Sequence, residues 1–272
     1  MPMRHPYFDL HLPIILGHRG AAGEMPENTL LSFATGLELG AQILESDVHV
    51  TRDGIPVLAH DADVDRVTEG TGAIASLDLA DLQRLDAGYR FSPDEGKSFP
   101  YRGRGLVIPT LEQTFNAQSS ARFNLELKTG AHDLPTRVLT LCREHAREHR
   151  TLVTSGSDEV MTDLRSAIAR DGSQVAIGAS TADILAFVRS ALAGDAPKSD
   201  SMALQIPVEF AGRPLITHEL IRHAHAHGAQ IHAWTINEPA EIERLLDLGV
   251  DGIVTDHPGR MASLVAERRA RG

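Results

Sequence analysis

The 272-residue chain is 42% hydrophobic and 23% charged, the composition of an ordinary soluble globular protein. Its formal net charge of −11 argues against a nucleic-acid-binding surface. No apolar run approaches the ~18 residues of a membrane span, and the five-residue run at 12–16 is shorter than the ~7–15 apolar residues of a signal peptide. A cytoplasmic protein without a stable membrane anchor is therefore expected. The single cysteine, Cys142, leaves no partner for an intrachain disulfide or a cysteine-based metal cluster and reads as a small buried hydrophobe.

Short β-branched or alternating runs precede amphipathic stretches along the whole chain. A strand over 13–17 leads to a helix over 27–39 that stops at Gly40, and a strand over 42–50 follows. After a long excursion come a helix over 111–118 and a strand over 122–128, then a helix over 135–149. The pattern continues with strands over 151–154, 174–178, 202–208, 230–236 and 252–255. Helices over 158–170, 182–192, 217–227, 239–248 and 259–268 alternate with them. Eight strand–helix units predict a (β/α)8 barrel, and the absence of GxGxxG after the first strand weakens the dinucleotide-binding alternative. With no linker and no internal repeat, one domain over 1–272 is expected. The irregular stretch at 61–108 is an insertion after the second strand, either a lid or a small subdomain.

The reactive residue types fall at strand C-termini, where barrel enzymes carry their sites. Alternation along 43–50 puts Ile43, Glu45, Asp47 and His49 on one face, and along 122–128 it groups Asn124, Glu126 and Lys128. Acids facing a barrel lumen are costly unless a cation compensates them. Two readings follow: a structural network paired with Arg19 or Lys128, or a metal centre. In the second, Glu45, Asp47 and Glu126 form an all-oxygen set suited to one hard divalent cation, Mg²⁺ or Ca²⁺. His18 and His60 would supply the base and the acid that displacement at phosphorus needs, with charge neutralised by the cation and by Arg19 or Lys128.

The segments GHRG, PENTLLSF, ESDVHVTRDGIPVLAHD, DRVTEGTG, IPTLEQ, NLELK, WTIN and GVDGIVTDHP resemble, in order and spacing, the glycerophosphodiester phosphodiesterases. The resemblance runs from residue 14 to 258. It implies a TIM barrel with an insertion after the second strand, and hydrolysis of a small glycerophosphodiester to sn-glycerol 3-phosphate and an alcohol. It further implies metal ligation by Glu45, Asp47 and Glu126, acid–base work by His18 and His60, and phosphate binding by Arg19 and Lys128. Trp234 would wall the glycerol side. A cyclic phosphate, formed by the substrate's own hydroxyl and opened by water, is the implied intermediate. Within the insertion, Tyr89, Lys97, Tyr101 and Arg102 are either head-group contacts or a solvated loop.

Two alternatives use the same site: a lysophospholipase D-like enzyme, disfavoured by the polar insertion, and a catalytically silent barrel that binds phosphorylated polyols. Three further patterns carry no function. HAREH at 145–149 has the spacing of a zinc-protease motif but no third ligand. HAHAHG at 223–228 reads as histidines at a helix C-terminus. The DxDxD run starting at Asp61 lacks the glycine and glutamate of a calcium loop.

Overall fold

The computed structural model describes residues 5–271; residues 1–4 and 272, which the expected domain limits include, lie outside the described residues. Eight parallel strands make the barrel: β1 (Ile14–Gly17), β2 (Ile43–Val50), β4 (Arg122–Leu127), β5 (Thr151–Thr154), β6 (Ala176–Ile177), β7 (Ala203–Ile206), β10 (Gln230–Ala233) and β11 (Gly252–Thr255). They run around the wall in the order β6-β5-β4-β2-β1-β11-β10-β7. The ends of that path meet through a parallel bridge between Gly178 and Ala203, with the Met202 N–H donating to the Ile177 carbonyl at 2.8 Å. Glycine is required at the seam, since a Cβ on Gly178 would lie 2.6 Å from Thr154.

Helices cover the outer face: α1 (Leu30–Glu38), α3 (Leu111–Ala117), α4 (Leu134–Glu144), α5 (Asp158–Asp171), α6 (Thr181–Ala193), α7 (His218–Ala226), α8 (Pro239–Leu248) and α9 (Pro258–Arg271). The outward residues of β2, Leu44, Val48 and Val50, pack with Phe33, Phe115, Phe123 and Leu127 in one apolar cluster between sheet and helices. Inside the barrel, residues at the strand starts (Ile14, Ile43, Ala176, Ala203) enclose Tyr7 and Phe8 from the 3-10 turn Pro6–Phe8. This segment closes the floor of the barrel, so the open end is the C-terminal mouth.

Several element limits differ from expectation for local reasons. Helix α1 begins at Leu30 rather than 27, because Asn28 has φ +56° and Thr29 is the N-cap, its side chain accepting from the Ser32 N–H. Helix α4 stops at Glu144 instead of running to 149: Ala146 takes φ +52° and the chain turns back, the Arg147 N–H donating to Cys142 O at 2.6 Å. Arg147 then caps the Ser119 and Ala121 carbonyls and lies over the rings of Phe115 and Phe123. HAREH is therefore not a continuous helical turn, and its His145 faces Glu112 while His149 lies beside His5. Cys142 is buried, which pushes its thiol up to about 12.

β2 extends beyond the barrel and pairs antiparallel with β3 (Pro56–Leu58), which lifts the insertion to the mouth. The insertion contains α2 (Leu79–Leu82), and its Val64, Ile74, Leu82, Ala87 and Ile108 pack with Val57 of β3 in one apolar cluster. The insertion is therefore anchored by apolar packing along part of its length. A second hairpin, β8 (Glu209–Phe210) with β9 (Arg213–Pro214), follows β7. Among the described residues, no helix is long and apolar enough to cross a membrane.

Candidate active site

The turn after β1 builds one side of the mouth. Arg19 has φ +49° and Gly20 φ +95°, and the Arg19 carbonyl is held by the Asn28 N–H at 3.0 Å and the Ser32 hydroxyl at 2.9 Å. A left-handed arginine costs backbone energy that such a clasp must offset. Asn28 is fixed in turn by the Ser46 hydroxyl at 2.6 Å, from the outward face of β2. The ESD triplet thus faces both ways, with Glu45 and Asp47 inward and Ser46 holding the PENT loop.

Glu45 and Asp47 are 7% and 2% exposed. Glu45 Oε2 accepts from the Arg19 N–H at 3.2 Å and lies 4.0 Å from His18 Nε2. Burial, and then the charge of Asp47, push the Glu45 carboxyl up to about 7. The parallel register sets Asp47 beside Glu126. Lys128 Nζ stands between them, 2.8 Å from Asp47 Oδ1 and 2.8 Å from Glu126 Oε2. Burial opposes the ammonium charge, but these two carboxylates outweigh it and raise the lysine's pKa. Asn124, on the same face, accepts at 3.1 Å from Gln205 of β7 across the lumen. Glu45, Asp47, Glu126 and Lys128 therefore meet on the lumen side, as strand alternation predicts.

Two histidines of the site are each paired with a carboxylate. His18 Nδ1 lies 2.6 Å from Asp256 Oδ1, at the end of β11, whose other oxygen accepts from Asn237 Nδ2 at 2.6 Å. Burial opposes a charged His18, but Asp256 and Glu45 outweigh it and raise its pKa. Burial likewise opposes the Asp256 charge, and the bonds from His18 and Asn237 overcome it, lowering that pKa. On the insertion side, His60 Nδ1 lies 2.6 Å from Asp61 Oδ1. Arg19 Nη1 donates to Glu27 Oε1 at 2.9 Å. Trp234, just beyond β10, is 44% exposed and so is not a core residue.

Composition and spacing single out His18, Arg19, Glu45, Asp47, His60, Glu126 and Lys128, and the fold gathers these at one mouth. Asp256, Asp61, Glu27 and Asn237 were missed as side chains. The one available signal was position: Asp256 is a carboxylate at the C-terminal end of the last barrel strand. Of the insertion residues, Tyr89 and Arg102 engage each other, with the guanidinium 4.2 Å above the ring, and the Tyr101 hydroxyl donates to Met25 Sδ at 2.9 Å. Lys97 is exposed.

The donor set fits a hard divalent cation in kind, since Glu45, Asp47 and Glu126 offer only oxygen. Asp47 Oδ2 and Arg19 Nε are both buried without a hydrogen bond and face each other at 3.7 Å, a polar gap that a ligand would satisfy. As the side chains stand, no three His, Cys, Asp or Glu groups among the described residues converge on one point, because the Lys128 ammonium occupies the space between Asp47 and Glu126.

Comparison with known proteins identifies the family. The model of the Glycerophosphoryl diester phosphodiesterase family matches residues 18–260. The Mycobacterium tuberculosis protein named probable glycerophosphodiester phosphodiesterase 2 is 31% identical over 262 residues, covering 94% of this chain and 91% of that one. A lysophospholipase D of Mus musculus is 26% identical over 269 residues, covering 90% and 84%. The structure of an Oleispira antarctica phosphodiesterase in complex with the product sn-glycerol-3-phosphate superposes with a TM-score of 0.74 at 29% identity, covering 94% and 97%. The chain, a TIM barrel, belongs to the glycerophosphoryl diester phosphodiesterase family and to that enzyme class.

Proposed function

We propose that the chain is a cytoplasmic, metal-dependent phosphodiesterase that hydrolyses small glycerophosphodiesters to sn-glycerol 3-phosphate and an alcohol by two-histidine acid–base catalysis. The observation that supports this reading best is the pairing of each histidine with its own carboxylate, His18 with Asp256 beside Glu45 and His60 with Asp61. Glu45, Asp47 and Glu126 would hold a divalent cation, Mg²⁺ or Ca²⁺, which when bound supplies Lewis-acid stabilisation of phosphoryl charge. Arg19 and Lys128 bind the phosphate, and Trp234 walls the glycerol. Lys128 is then shared between carboxylates and substrate, which its three donors permit.

The proton steps follow from the two pairs. His18 holds a proton more tightly than a free imidazole does and starts as the acid; His60, oriented by Asp61, starts as the base. His60 takes the proton of the neighbouring substrate hydroxyl as its oxygen bonds to phosphorus. The bond to the leaving alcohol breaks, and His18 protonates that oxygen, giving a cyclic phosphate. A water molecule then gives its proton to His18 and attacks phosphorus, and the ring oxygen takes a proton from His60 as its bond breaks. Both imidazoles return to their starting states.

The test is direct. Purified protein supplied with Mg²⁺ or Ca²⁺ should release sn-glycerol 3-phosphate from glycerophosphocholine or glycerophosphoethanolamine, and EDTA should abolish the release. His18→Ala and His60→Ala should each lower turnover by ~10²-fold or more with substrate affinity kept. Failure on every glycerophosphodiester with metal present would overturn the reading, whereas turnover confined to lysophospholipids would move it to the lysophospholipase D alternative.

A further inference from the structure

Arg66 lies in the insertion, in the DRVTEG segment, with its side chain 47% exposed. Its guanidinium forks onto Glu27, with Nη1 at 2.7 Å from Oε2 and Nη2 at 2.7 Å from Oε1, and Nε donates to Asp61 Oδ2 at 2.5 Å. Both carboxylates are shared with residues of the site. Asp61 uses its other oxygen on His60, and Glu27 Oε1 also accepts from Arg19. An unbroken chain of charge-assisted bonds therefore runs from His60 through Asp61, Arg66 and Glu27 to Arg19.

We propose that Arg66 is a positioning residue that aligns His60 through Asp61 and frees Arg19 for the phosphate through Glu27. The inference rests on the function proposed above and deepens it, giving the insertion a role in the chemistry. Bidentate arginine–carboxylate pairs fix geometry as well as charge, which an ammonium cannot do. Because Arg66 takes both oxygens of Glu27, Arg19 donates a single bond there, and its Nε remains without a hydrogen bond. Remove Arg66, and Glu27 can close on Arg19 with both oxygens, drawing that guanidinium away from the phosphate. Asp61 loses its second anchor at the same time, so the His60 ring is no longer held in one orientation. Burial opposes charge on Glu27 and Asp61, and the Arg66 bonds lead the opposing contributions, keeping both pKa values below the ordinary range.

The experiment is a double-mutant cycle on glycerophosphoethanolamine turnover with the cation supplied. Arg66→Met should lower kcat ~10-fold or more and raise KM. In a His60→Ala background the same substitution should change kcat by less than about twofold, because the residue it acts through is gone. In a Glu27→Gln background its effect on KM should disappear. Arg66→Lys should recover part of KM but little of kcat. Equal kcat losses with and without His60 would mean a purely structural role, and full recovery by lysine would mean that charge alone matters; either overturns the proposal, as would unchanged turnover in Arg66→Met. Should Arg66→Met fail to fold by circular dichroism, the lysine variant decides on the same criteria. Binding of sn-glycerol 3-phosphate, followed by calorimetry, separates this inference from the function itself. If the parent protein turns over no glycerophosphodiester, the function fails, while weaker binding in Arg66→Met still supports the arginine's effect on Arg19 and unchanged binding overturns it.

Discussion

His18 and His60 each place Nδ1 2.6 Å from a carboxylate, but the barrel builds the first pair and the insertion builds the second. His18 and Asp256 follow two strands bonded along their whole length, Ile14 to Gly252 through Gly17 to Thr255, so wall closure alone brings them together. His60 and Asp61 are chain neighbours just beyond β3; β2 holds their backbone, with His49 Nε2 3.2 Å from the His60 carbonyl, but no strand of the wall carries the carboxylate that orients the His60 ring. Arg66, held by Glu27, grips that carboxylate from outside. The His18 side chain is also more enclosed, 17% exposed against 38% for His60. One histidine inherits the rigidity of the fold, and the other depends on the docking of the insertion.

The sharpest way to break this comparison is to neutralise each carboxylate. Asp256→Asn should lower turnover by ~10- to 100-fold, and Asp61→Asn by less, about tenfold. The pH profile should separate them further. Asp256 raises the pKa of His18, so its loss lets burial lower that value. If His18 is the starting acid, the alkaline limb of the rate profile then moves to lower pH in Asp256→Asn. Steady-state rates from pH 5 to 9 decide the matter; an unmoved alkaline limb would refute the assignment of His18 as the acid.

How much of this was readable in the amino-acid sequence follows the same division. Period-two alternation depends on local geometry, so it places Glu45, Asp47, Glu126 and Lys128 on the lumen side from the amino-acid sequence alone. The regular succession of strands and helices gave the barrel. The partner of His18 lies 238 positions away, and no spacing rule links them. The Arg66–Glu27 fork spans 39 positions between two loops, where there is no periodicity to read. The floor segment with Tyr7 and the start of α1 were obscured by local backbone: a 3-10 turn in one case and a left-handed Asn28 in the other. Periodic elements reveal faces, whereas loop contacts are set only when the fold closes.

Glu45 lies on the His18 side of the cluster, which gives a second and smaller distinction. Burial, and then the charge of Asp47, disfavour the charged carboxylate and push it up to about 7. A pKa raised in the folded state favours folding at low pH, and that contribution fades as pH climbs from the ordinary carboxylate range through 7. A bound divalent cation requires the charged form, so below pH 7 each binding event displaces a proton. Cation affinity should fall by up to ~10-fold per pH unit below 7 and level off above it. Calorimetric titration at pH 6, 7 and 8, in buffers of different ionisation enthalpy, measures both the affinity and the protons released. A pH-independent affinity would remove Glu45 from the ligand set.

The smallest expected effect tests whether anchoring the insertion anywhere is enough. Arg52, just beyond β2, grips Asp78 of the insertion with Nε at 2.8 Å and Nη2 at 2.5 Å. Both side chains are well exposed, and exposed ion pairs contribute little because water and salt screen them. Arg52→Ala leaves the Arg52 N–H donating to the Leu77 carbonyl at 2.9 Å, and leaves the apolar cluster under the insertion intact. Turnover should therefore match the parent, with a slight drop in melting temperature that vanishes at high salt. Arg66 makes two bonds to Glu27, as Arg52 does to Asp78, and a third to Asp61, and each of its two carboxylates touches the site. A large loss of turnover in Arg52→Ala would mean that His60 needs only a docked insertion, and that the specific fork from Arg66 to Glu27 and Asp61 is incidental.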